Sequence, residues 1–294
     1  MFDHNETLDE ARARNVRDAL MEDIGRADWT SLLVPAGRRV NARVTVREPA
    51  VLCGRDWFEA CLHALDPDAR VDWHYAEGAS MQADTPVCEL QADARALLSA
   101  ERPALNFLQL LSGTATLTRE HADRVRGVSP NPRGCLVLDT RKTVPGLRQA
   151  QKYAVRVGGG ANQRLALWHG ILIKENHIAA AGGIAQVLQQ AAALQAGVDV
   201  QIEVETLAQL DEALQAGATS VLLDNFSVDD LREAVARAAG RALLEASGGI
   251  TPDTLREVAA TGVDRISVGK LTKDVRAIDF SMRVLGSLRQ NGAD

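Results

Sequence analysis

Apolar and polar positions follow different periods in the two halves of the chain. In the first half, apolar residues recur at helical spacing in some segments and at every second position in others. These patterns predict helices over 7–22 and 56–65. They also predict strands within 38–54 and within 71–100, where Gly78 and Pro86 would interrupt the strands.

A longer helical pattern covers residues 99–127 and predicts one or two long helices. Ser99 is the predicted N-cap, and Pro103 would then lie near the first turn, where a helix tolerates proline.

From residue 134 onward, strands and helices alternate. Six short apolar runs are each followed by polar residues: CLVLDT (135–140), ILIKEN (171–176), VQIEVET (200–206), SVLLDNF (220–226), ALLEAS (242–247) and RISVGK (265–270). Helical patterns that end in glycine separate most of them, and Ser227 and Thr251 are predicted to cap the last two helices. Such uniformly apolar strands are buried on both faces, which indicates a parallel sheet.

Repeated β-α units favour a closed or nearly closed α/β barrel. An open, doubly wound sheet is the alternative. Such a sheet normally carries a glycine fingerprint at its first β-α turn, whereas the glycines at 158–160 follow a helix.

Polar side chains lie where each predicted barrel strand ends, and this position carries the functional argument. The residues are Asp139, Arg141 and Lys142; Lys174, Glu175 and Asn176; Glu203 and Glu205; Asp224 and Asn225; Ser247 and Gly248; and Gly269 and Lys270. In α/β barrels the carboxyl ends of the strands form the mouth of the active site. We therefore expect these residues to surround one opening.

Charge is unevenly distributed around that opening. Residues 141–174 contain seven Lys and Arg residues and no Asp or Glu. Arg141, Arg164 and Lys174 are predicted to bind an anion, and Glu203 and Asp224 to bind Mg²⁺ shared with substrate phosphates.

Other features of this stretch allow more than one interpretation. Arg148, Lys152 and Arg156 are spaced four residues apart and are predicted to form the solvated face of a helix. The three glycines either end that helix or permit close approach to a ligand. His177 is either a structural hydrogen-bonding partner or a ligand.

Composition narrows the class of protein. The 294 residues are 46% hydrophobic and 24% charged, with a net charge of -6, and the pI is near 5.6. An acidic surface argues against general binding to nucleic acids or anionic membranes. The four cysteines show no metal-ligand spacing, the start of the chain is polar, and no apolar run suits a membrane span. We expect a soluble cytoplasmic protein.

The polar motifs closely resemble those of the nicotinate-nucleotide pyrophosphorylase (carboxylating) family, also called quinolinate phosphoribosyltransferase. The strongest likeness is in DTRKTVPGLRQAQKYAVRVGGGANQR (139–164), followed by LIKENH (172–177). Further similar blocks follow the family's order: EDIGRADWTS (22–31), ERPALNFLQLLSGTAT (101–116), IEVET (202–206), LLDNF (222–226), EASGGI (245–250) and ISVGKLT (266–272). The likeness covers nearly the whole chain.

The resemblance implies a fold and an activity. The fold would be α/β, with an N-terminal α/β sandwich domain (1–115) and an incomplete parallel α/β barrel (116–274), and 275–294 could pack back on the first domain. The enzyme would transfer the phosphoribosyl group of phosphoribosyl pyrophosphate (PRPP) to quinolinate, releasing pyrophosphate and carbon dioxide. No organic cofactor is expected. The family forms homodimers or larger homo-oligomers with shared active sites.

The resemblance also implies roles for individual residues. Arg141, Arg164 and Lys174 would hold the two quinolinate carboxylates, and Arg102 would reach this site from the partner subunit. PRPP would contact Lys142, and Glu203 and Asp224 would lie by the Mg²⁺ and the ribose. The phosphate end would be lined by Ser247, Gly248, Gly249, Gly269 and Lys270.

Three positions depart from the family pattern. Gln163 stands where the family usually has His, which makes Gln163 a weaker candidate for a quinolinate contact. Trp168-His169 and Lys273-Asp274 replace an aromatic-Asp and a His-Ser pair.

The rival activities are a nicotinate-using transferase, a Schiff-base lyase with Lys174 as the nucleophile, and a metabolite-binding protein that has lost turnover.

Overall fold

A computed structural model describes residues 4–287 of the chain. The helices are α1 (Leu8–Ile24), α2 (Arg55–Leu65), α3 (Ala94–Val125), α4 (Arg148–Val157), α5 (Glu175–Ala181), α6 (Ile184–Ala193), α7 (Leu207–Gln215), α8 (Val228–Ala238), α9 (Leu255–Ala259) and α10 (Lys270–Lys273). The strands are β1 (Arg39–Val46), β2 (Ala50–Val51), β3 (Arg70–Trp73), β4 (Ser80–Met81), β5 (Thr85–Asp93), β6 (Leu136–Leu138), β7 (Gly170–Ile173), β8 (Asp199–Val204), β9 (Ser220–Asp224), β10 (Leu243–Ser247), β11 (Arg265–Ser267) and β12 (Phe280–Ser287).

The described residues form two compact units. The first comprises 4–117, 144–158 and 274–287, and the second comprises 118–143 and 159–273. The first unit thus includes residues 144–158, which the sequence places in the barrel domain. Residues 1–3 and 288–294, which belong to the predicted domain ranges, lie outside the described residues.

A four-stranded antiparallel sheet, in the order β12-β1-β5-β3, organises the first unit. Every second residue of β1 is buried, as its alternating sequence predicts. Helices α1 to α4 complete one apolar cluster with this sheet, and Trp57 and Phe58 of α2 are fully buried within it.

Helix α3 and strand β5 differ from the sequence-based prediction. Ser99 is not the N-cap: α3 follows β5 directly, and Asp93 Oδ1 accepts hydrogen bonds from Arg95 N at 2.9 Å and Ala96 N at 3.1 Å. Pro103 consequently lies well inside the helix. Pro86 does not interrupt β5, because it lies at a register shift of the ladder with β1.

The predicted solvated face of helix α4 is also wrong in part. Lys152 has 0% exposure, so it is not part of a solvated face. The spacing of Arg148, Lys152 and Arg156 places them on one side of the helix, but spacing alone does not show whether that side meets water or another element. Arg156 does remain exposed, over the ring of Tyr153.

A parallel sheet of six strands forms the second unit, in the order β6-β11-β10-β9-β8-β7. Strands adjacent in sequence are therefore adjacent in the sheet from β7 to β11, and β11 then pairs with β6. This is the order around a barrel that is open between β6 and β7. The prediction of an incomplete barrel is confirmed, because a doubly wound sheet would reverse its strand order partway.

The open seam holds the segment that follows the three glycines. Ala161 pairs with the edge of β6, donating from N to Val137 O at 2.8 Å. Gly159 has φ +93°, which favours glycine. The segment therefore extends the edge of the sheet.

Caps of the barrel helices agree with the sequence in part. Ser227 Oγ accepts from Asp230 N and caps α8 as predicted. Thr251 does not cap α9, because a turn over 252–254 precedes the helix and Thr254 takes the N-cap position. Among residues 4–287, no helix has the length and apolar character that a membrane crossing requires.

Candidate active site

A cavity of about 180 Å³ opens at the carboxyl ends of the barrel strands. It is lined by Thr140, Arg141, Lys142, Gln163, Arg164, Leu172, Lys174, Glu203, Leu222, Glu245, Ser247 and Ser267. Seven residues of the predicted site are thus brought together: Arg141, Lys142, Gln163, Arg164, Lys174, Glu203 and Ser247.

Two guanidinium groups lie close enough within this cavity to repel each other. Burial lowers the pKa of Arg164, and the charge of Arg141 lowers it further. Arg164 Nη1 donates to Gly170 O at 3.0 Å. Its Nε is buried and, within the described chain, has no hydrogen-bond partner. An anion placed between the two arginines would relieve the repulsion and supply an acceptor.

Asp139 fixes the backbone that carries Arg164. This fully buried carboxylate accepts hydrogen bonds from Gln163 N at 3.0 Å and from Asn162 Nδ2 at 2.6 Å. Together with the pairing of Ala161, these bonds hold residues 161–163 against β6. The arrangement brings Arg164 to Arg141, although 22 residues separate them in sequence.

Lys174 and Glu203 form an ion pair across neighbouring strand ends. Lys174 Nζ lies 2.8 Å from Glu203 Oε2 and 3.1 Å from Oε1. The side chain of Glu203 is only 10% exposed, whereas that of Lys174 is 45% exposed. His177 Nδ1 accepts from Lys174 N at 3.0 Å at the start of α5, which gives His177 a structural contact.

The ends of β9 and β10 are joined closely. Asn225 N donates to Ser247 O at 2.9 Å, and Asn225 Nδ2 donates to Asp224 Oδ2 at 3.0 Å. Gly248 has φ +93°, and a Cβ at this position would collide with the Asn225 side chain. Asp224, Gly248 and Gly249 lie at these strand ends, but outside the lining of the cavity.

Lys142 packs over the end of β11. A Cβ on Gly269 would lie 3.2 Å from Lys142 Cδ, so the glycine permits this close approach. Thr272 Oγ1 donates to Lys142 O at 2.8 Å. Gly269 and Lys270, which also lie outside the cavity lining, therefore border Lys142.

Two polar residues that were not predicted as site residues, Glu245 and Ser267, form the floor of the cavity, and Gln201 lies outside the cavity lining as a hydrogen-bonding partner of Glu245. Gln163 Nε2 donates to Gln201 Oε1 at 2.9 Å, and Gln201 Nε2 donates to Glu245 Oε2 at 2.9 Å. Ser267 completes the floor beside Glu245. The sequence did contain a signal for these residues, because a polar residue within a mostly apolar buried strand is a candidate site residue.

Comparison with known proteins decides the family. A model described as "Quinolinate phosphoribosyl transferase, N-terminal domain" matches residues 28–112, and its C-terminal counterpart matches residues 114–283. The chain belongs to the quinolinate phosphoribosyltransferase family. The resemblance inferred from the sequence motifs is confirmed.

Individual members of the quinolinate phosphoribosyltransferase family are similar along most of the chain. A "Nicotinate-nucleotide pyrophosphorylase [carboxylating]" from Mycobacterium leprae is 42% identical, over 93% of this chain and 97% of its own. A "Probable nicotinate-nucleotide pyrophosphorylase [carboxylating]" from Bacillus subtilis is 40% identical over 90% of each. A solved nicotinate-nucleotide pyrophosphorylase from Francisella tularensis, 41% identical, covers 97% of this chain and 100% of its own with a TM-score of 0.89.

Arg102 is the predicted family residue that lies in the first unit. Its side chain is 57% exposed and lies 4.0 Å from Glu101. The structure contains a single chain, so the predicted approach of Arg102 to a partner subunit's site stays a prediction.

Few side chains of the site could act as metal ligands. Within residues 4–287, no group of three or more His, Cys, Asp or Glu side chains could hold a metal ion. Both carboxylate oxygens of Glu203 accept from Lys174, whereas Asp224 lies at a strand end with its Oδ2 held by Asn225. These residues fit an Mg²⁺ that one or two carboxylates share with substrate phosphates, and they do not fit an all-protein cage.

Proposed function

We propose that this chain transfers the phosphoribosyl group of PRPP to the nitrogen of quinolinate. Pyrophosphate and carbon dioxide leave, and nicotinate mononucleotide, an intermediate of NAD biosynthesis, is formed. The convergence of Arg141 and Arg164 in one cavity carries this conclusion. Membership of the family supports the same activity, and the comparisons favour neither a nicotinate-using nor a non-catalytic relative.

Quinolinate, a dianion with adjacent carboxylates, matches the cations of the cavity. Arg141 and Arg164 would hold one carboxylate through charge-assisted hydrogen bonds, and Lys174 would contact the other. A nicotinate-using enzyme would need to neutralise only one carboxylate. The number of cations therefore favours the diacid.

The contacts of Lys174 argue against a Schiff-base mechanism. A nucleophilic lysine needs an amine that is open to the substrate carbonyl, but Lys174 Nζ already donates to both carboxylate oxygens of Glu203, at 3.1 and 2.8 Å. Lys174 is better suited to orient Glu203 and to bind a carboxylate.

Glu203 would stabilise the transition state. As quinolinate attacks the anomeric carbon and pyrophosphate leaves, positive charge develops on the ribose ring. A carboxylate that Lys174 already orients can stabilise that charge without reorganising. Positioning of the two substrates can itself lower a barrier by about 7–11 kcal/mol.

PRPP would bind along the ends of β9, β10 and β11. Its phosphates would be met by Lys142 and Lys270 and by backbone N–H groups of Ser247, Gly248, Gly249 and Gly269. Asp224 would hold Mg²⁺ together with the pyrophosphate, and Glu203 would lie near the ribose. The Mg²⁺, when bound, would neutralise charge on the leaving group.

We also propose a homodimer or larger homo-oligomer in which Arg102 completes the partner's site. The support is the ERPALNF motif and the exposed side chain of Arg102. Co-assembly of Arg102→Ala and Lys142→Ala chains, each inactive alone, should restore part of the activity. Mixed oligomers that stay inactive would contradict a shared site.

The activity itself is tested with purified protein, PRPP, Mg²⁺ and either quinolinate or nicotinate. Quinolinate should yield nicotinate mononucleotide and carbon dioxide in equal amounts. Glu212→Gln, an exposed change on α7, serves as the control and should leave the rate unchanged. Consumption of nicotinate without consumption of quinolinate would overturn the assignment.

A further inference from the structure

Two polar atoms in the cavity floor have unmet hydrogen-bonding capacity. Glu245 is 1% exposed and Ser267 is 6% exposed, and both side chains line the cavity. Within residues 4–287, neither Glu245 Oε1 nor Ser267 Oγ has a hydrogen-bond partner. Because buried polar atoms are nearly always paired, both atoms have hydrogen-bonding capacity for a molecule bound in the cavity, although Ser267 lies close enough to Glu245 to lower its pKa.

The other oxygen of Glu245 is already engaged. Gln201 Nε2 donates to Glu245 Oε2 at 2.9 Å, and Gln201 is held in turn by Gln163 Nε2. An oxygen that accepts an N–H is the carbonyl oxygen of a carboxylic acid. If Glu245 carries a proton, the proton therefore lies on Oε1, the atom without a partner.

The surroundings of Glu245 favour that proton. Burial raises the pKa of Glu245 and the charge of Asp139 raises it further, whereas the hydrogen bond from Gln201, the proximity of Ser267 and the charge of Arg265 lower it. Ser267 Oγ lies nearby without meeting hydrogen-bond geometry. The remaining charged groups of the cavity are Arg141, Lys142, Arg164, Lys174 and Glu203. A bound dianion would occupy the cations and disfavour an ionised Glu245.

We propose that Glu245 is a further catalytic residue, whose Oε1 donates the proton that replaces the departing carboxylate of the pyridine ring. This inference rests on the proposed function. When the bond from C2 to the carboxylate breaks, its electron pair stays on C2 and carbon dioxide leaves. That pair then takes the proton from Oε1, the O–H electrons remain on Glu245 as a carboxylate, and water reprotonates Glu245 after product release.

A Glu245→Gln variant separates proton donation from binding. The amide retains the shape and can still accept from Gln201, but it has no acidic proton. Rapid-quench measurements would follow pyrophosphate and nicotinate mononucleotide in a single turnover. We expect pyrophosphate to form at the wild-type rate and nicotinate mononucleotide to form about 100-fold more slowly or worse, while the quinolinate dissociation constant changes less than about threefold.

Two outcomes would overturn the inference. In the first, both products form at wild-type rates in Glu245→Gln. In the second, both slow equally, which is the result of a purely structural role. Failure of the wild-type protein to release pyrophosphate with quinolinate would instead contradict the proposed function.

A second variant covers the case in which Glu245→Gln does not fold. Glu245→Asp keeps the acid but withdraws it by one methylene group. It should form nicotinate mononucleotide more slowly than wild type does. The rate should still be at least about tenfold higher than that of any folded Glu245→Gln protein. A Glu245→Asp protein that releases pyrophosphate but no nicotinate mononucleotide would count against proton donation by this carboxyl.

Discussion

Gly248→Ala tests how the ends of β9 and β10 hold Asp224. Gly248 has φ +93°, and a Cβ there would collide with Asn225 Oδ1 and lie 2.6 Å from Asn225 Cγ and 2.9 Å from Asn225 N. Asn225 cannot retreat freely, because its N donates to Ser247 O and its side chain donates to Asp224. The added methyl group should therefore displace the side chain that orients Asp224.

Gly249→Ala is the matched control. Gly249 has φ +59°, but nothing lies within 4 Å of the position that its Cβ would take. Backbone strain alone costs about 1–2 kcal/mol of unfolding free energy at such a position. Steric overlap in a packed site adds about 1–3 kcal/mol, and only Gly248→Ala should suffer it. With about 2–4 °C per kcal/mol, Gly248→Ala should melt several degrees below Gly249→Ala.

Steady-state kinetics provide the functional measurement. Because the displaced Asn225 no longer fixes Asp224, Gly248→Ala should raise the KM for PRPP at least about tenfold, a loss of about 1.4 kcal/mol. The KM for quinolinate should change little, since Arg141 and Arg164 lie in other loops of the barrel. Equal melting temperatures and equal KM values for PRPP in the two alanine variants would refute the reasoning.

Further predictions concern charge in the barrel. Arg164→Met should weaken quinolinate binding by about 10–100-fold, measured by calorimetry, yet leave the melting temperature of the free protein unchanged or higher, because it removes the repulsion with Arg141. Glu245→Gln should be more stable than wild type at pH 8, and the advantage should shrink toward pH 4 in urea titrations. The pKa of Glu245 is raised in the folded state, so the folded protein retains a proton that the unfolded chain releases above about pH 4.3. A difference in unfolding free energy between the two proteins that does not change with pH would contradict the raised pKa. Burial raises the pKa of Cys61 and of Cys135 to about 12, so both thiols should react with Ellman's reagent at pH 8 only after unfolding; rapid reaction in the native protein would show that they are accessible.

The barrel was the most predictable part of the fold. Each of its strands is an apolar run followed by polar residues, and local composition determines both features. The start of α3 was less predictable, because Asp93 both ends β5 and caps the helix, so no linker marks the boundary. The burial of Lys152 was not predictable, since helical spacing does not reveal which neighbour packs against a given face.

Charged residues at the strand ends were the most accessible part of the site to sequence reasoning. Arg141, Lys174 and Glu203 were placed in this way, and the cavity contains all three. The floor residue Glu245 and its partner Gln201 were missed because both lie within runs that were interpreted only as buried strands. Their hydrogen bond joins residues 44 apart in sequence, on strands that β9 separates in the sheet, so the pairing depends on the arrangement of the strands and not on local sequence.

The floor changes the interpretation of Gln163. As a substitute for the family's usual His, Gln163 is expected to be a weakened quinolinate contact, and it lines the cavity. Its amide also donates to Gln201, which donates to Glu245. Apart from Lys142, which we assign to PRPP, the cavity holds the cations Arg141, Arg164 and Lys174 and the carboxylate of Glu203. These leave two net positive charges when Glu245 is protonated, and a dicarboxylate carries two negative charges. A neutral glutamine preserves that match, whereas a protonated histidine would add a third net charge next to the group that has to keep its proton.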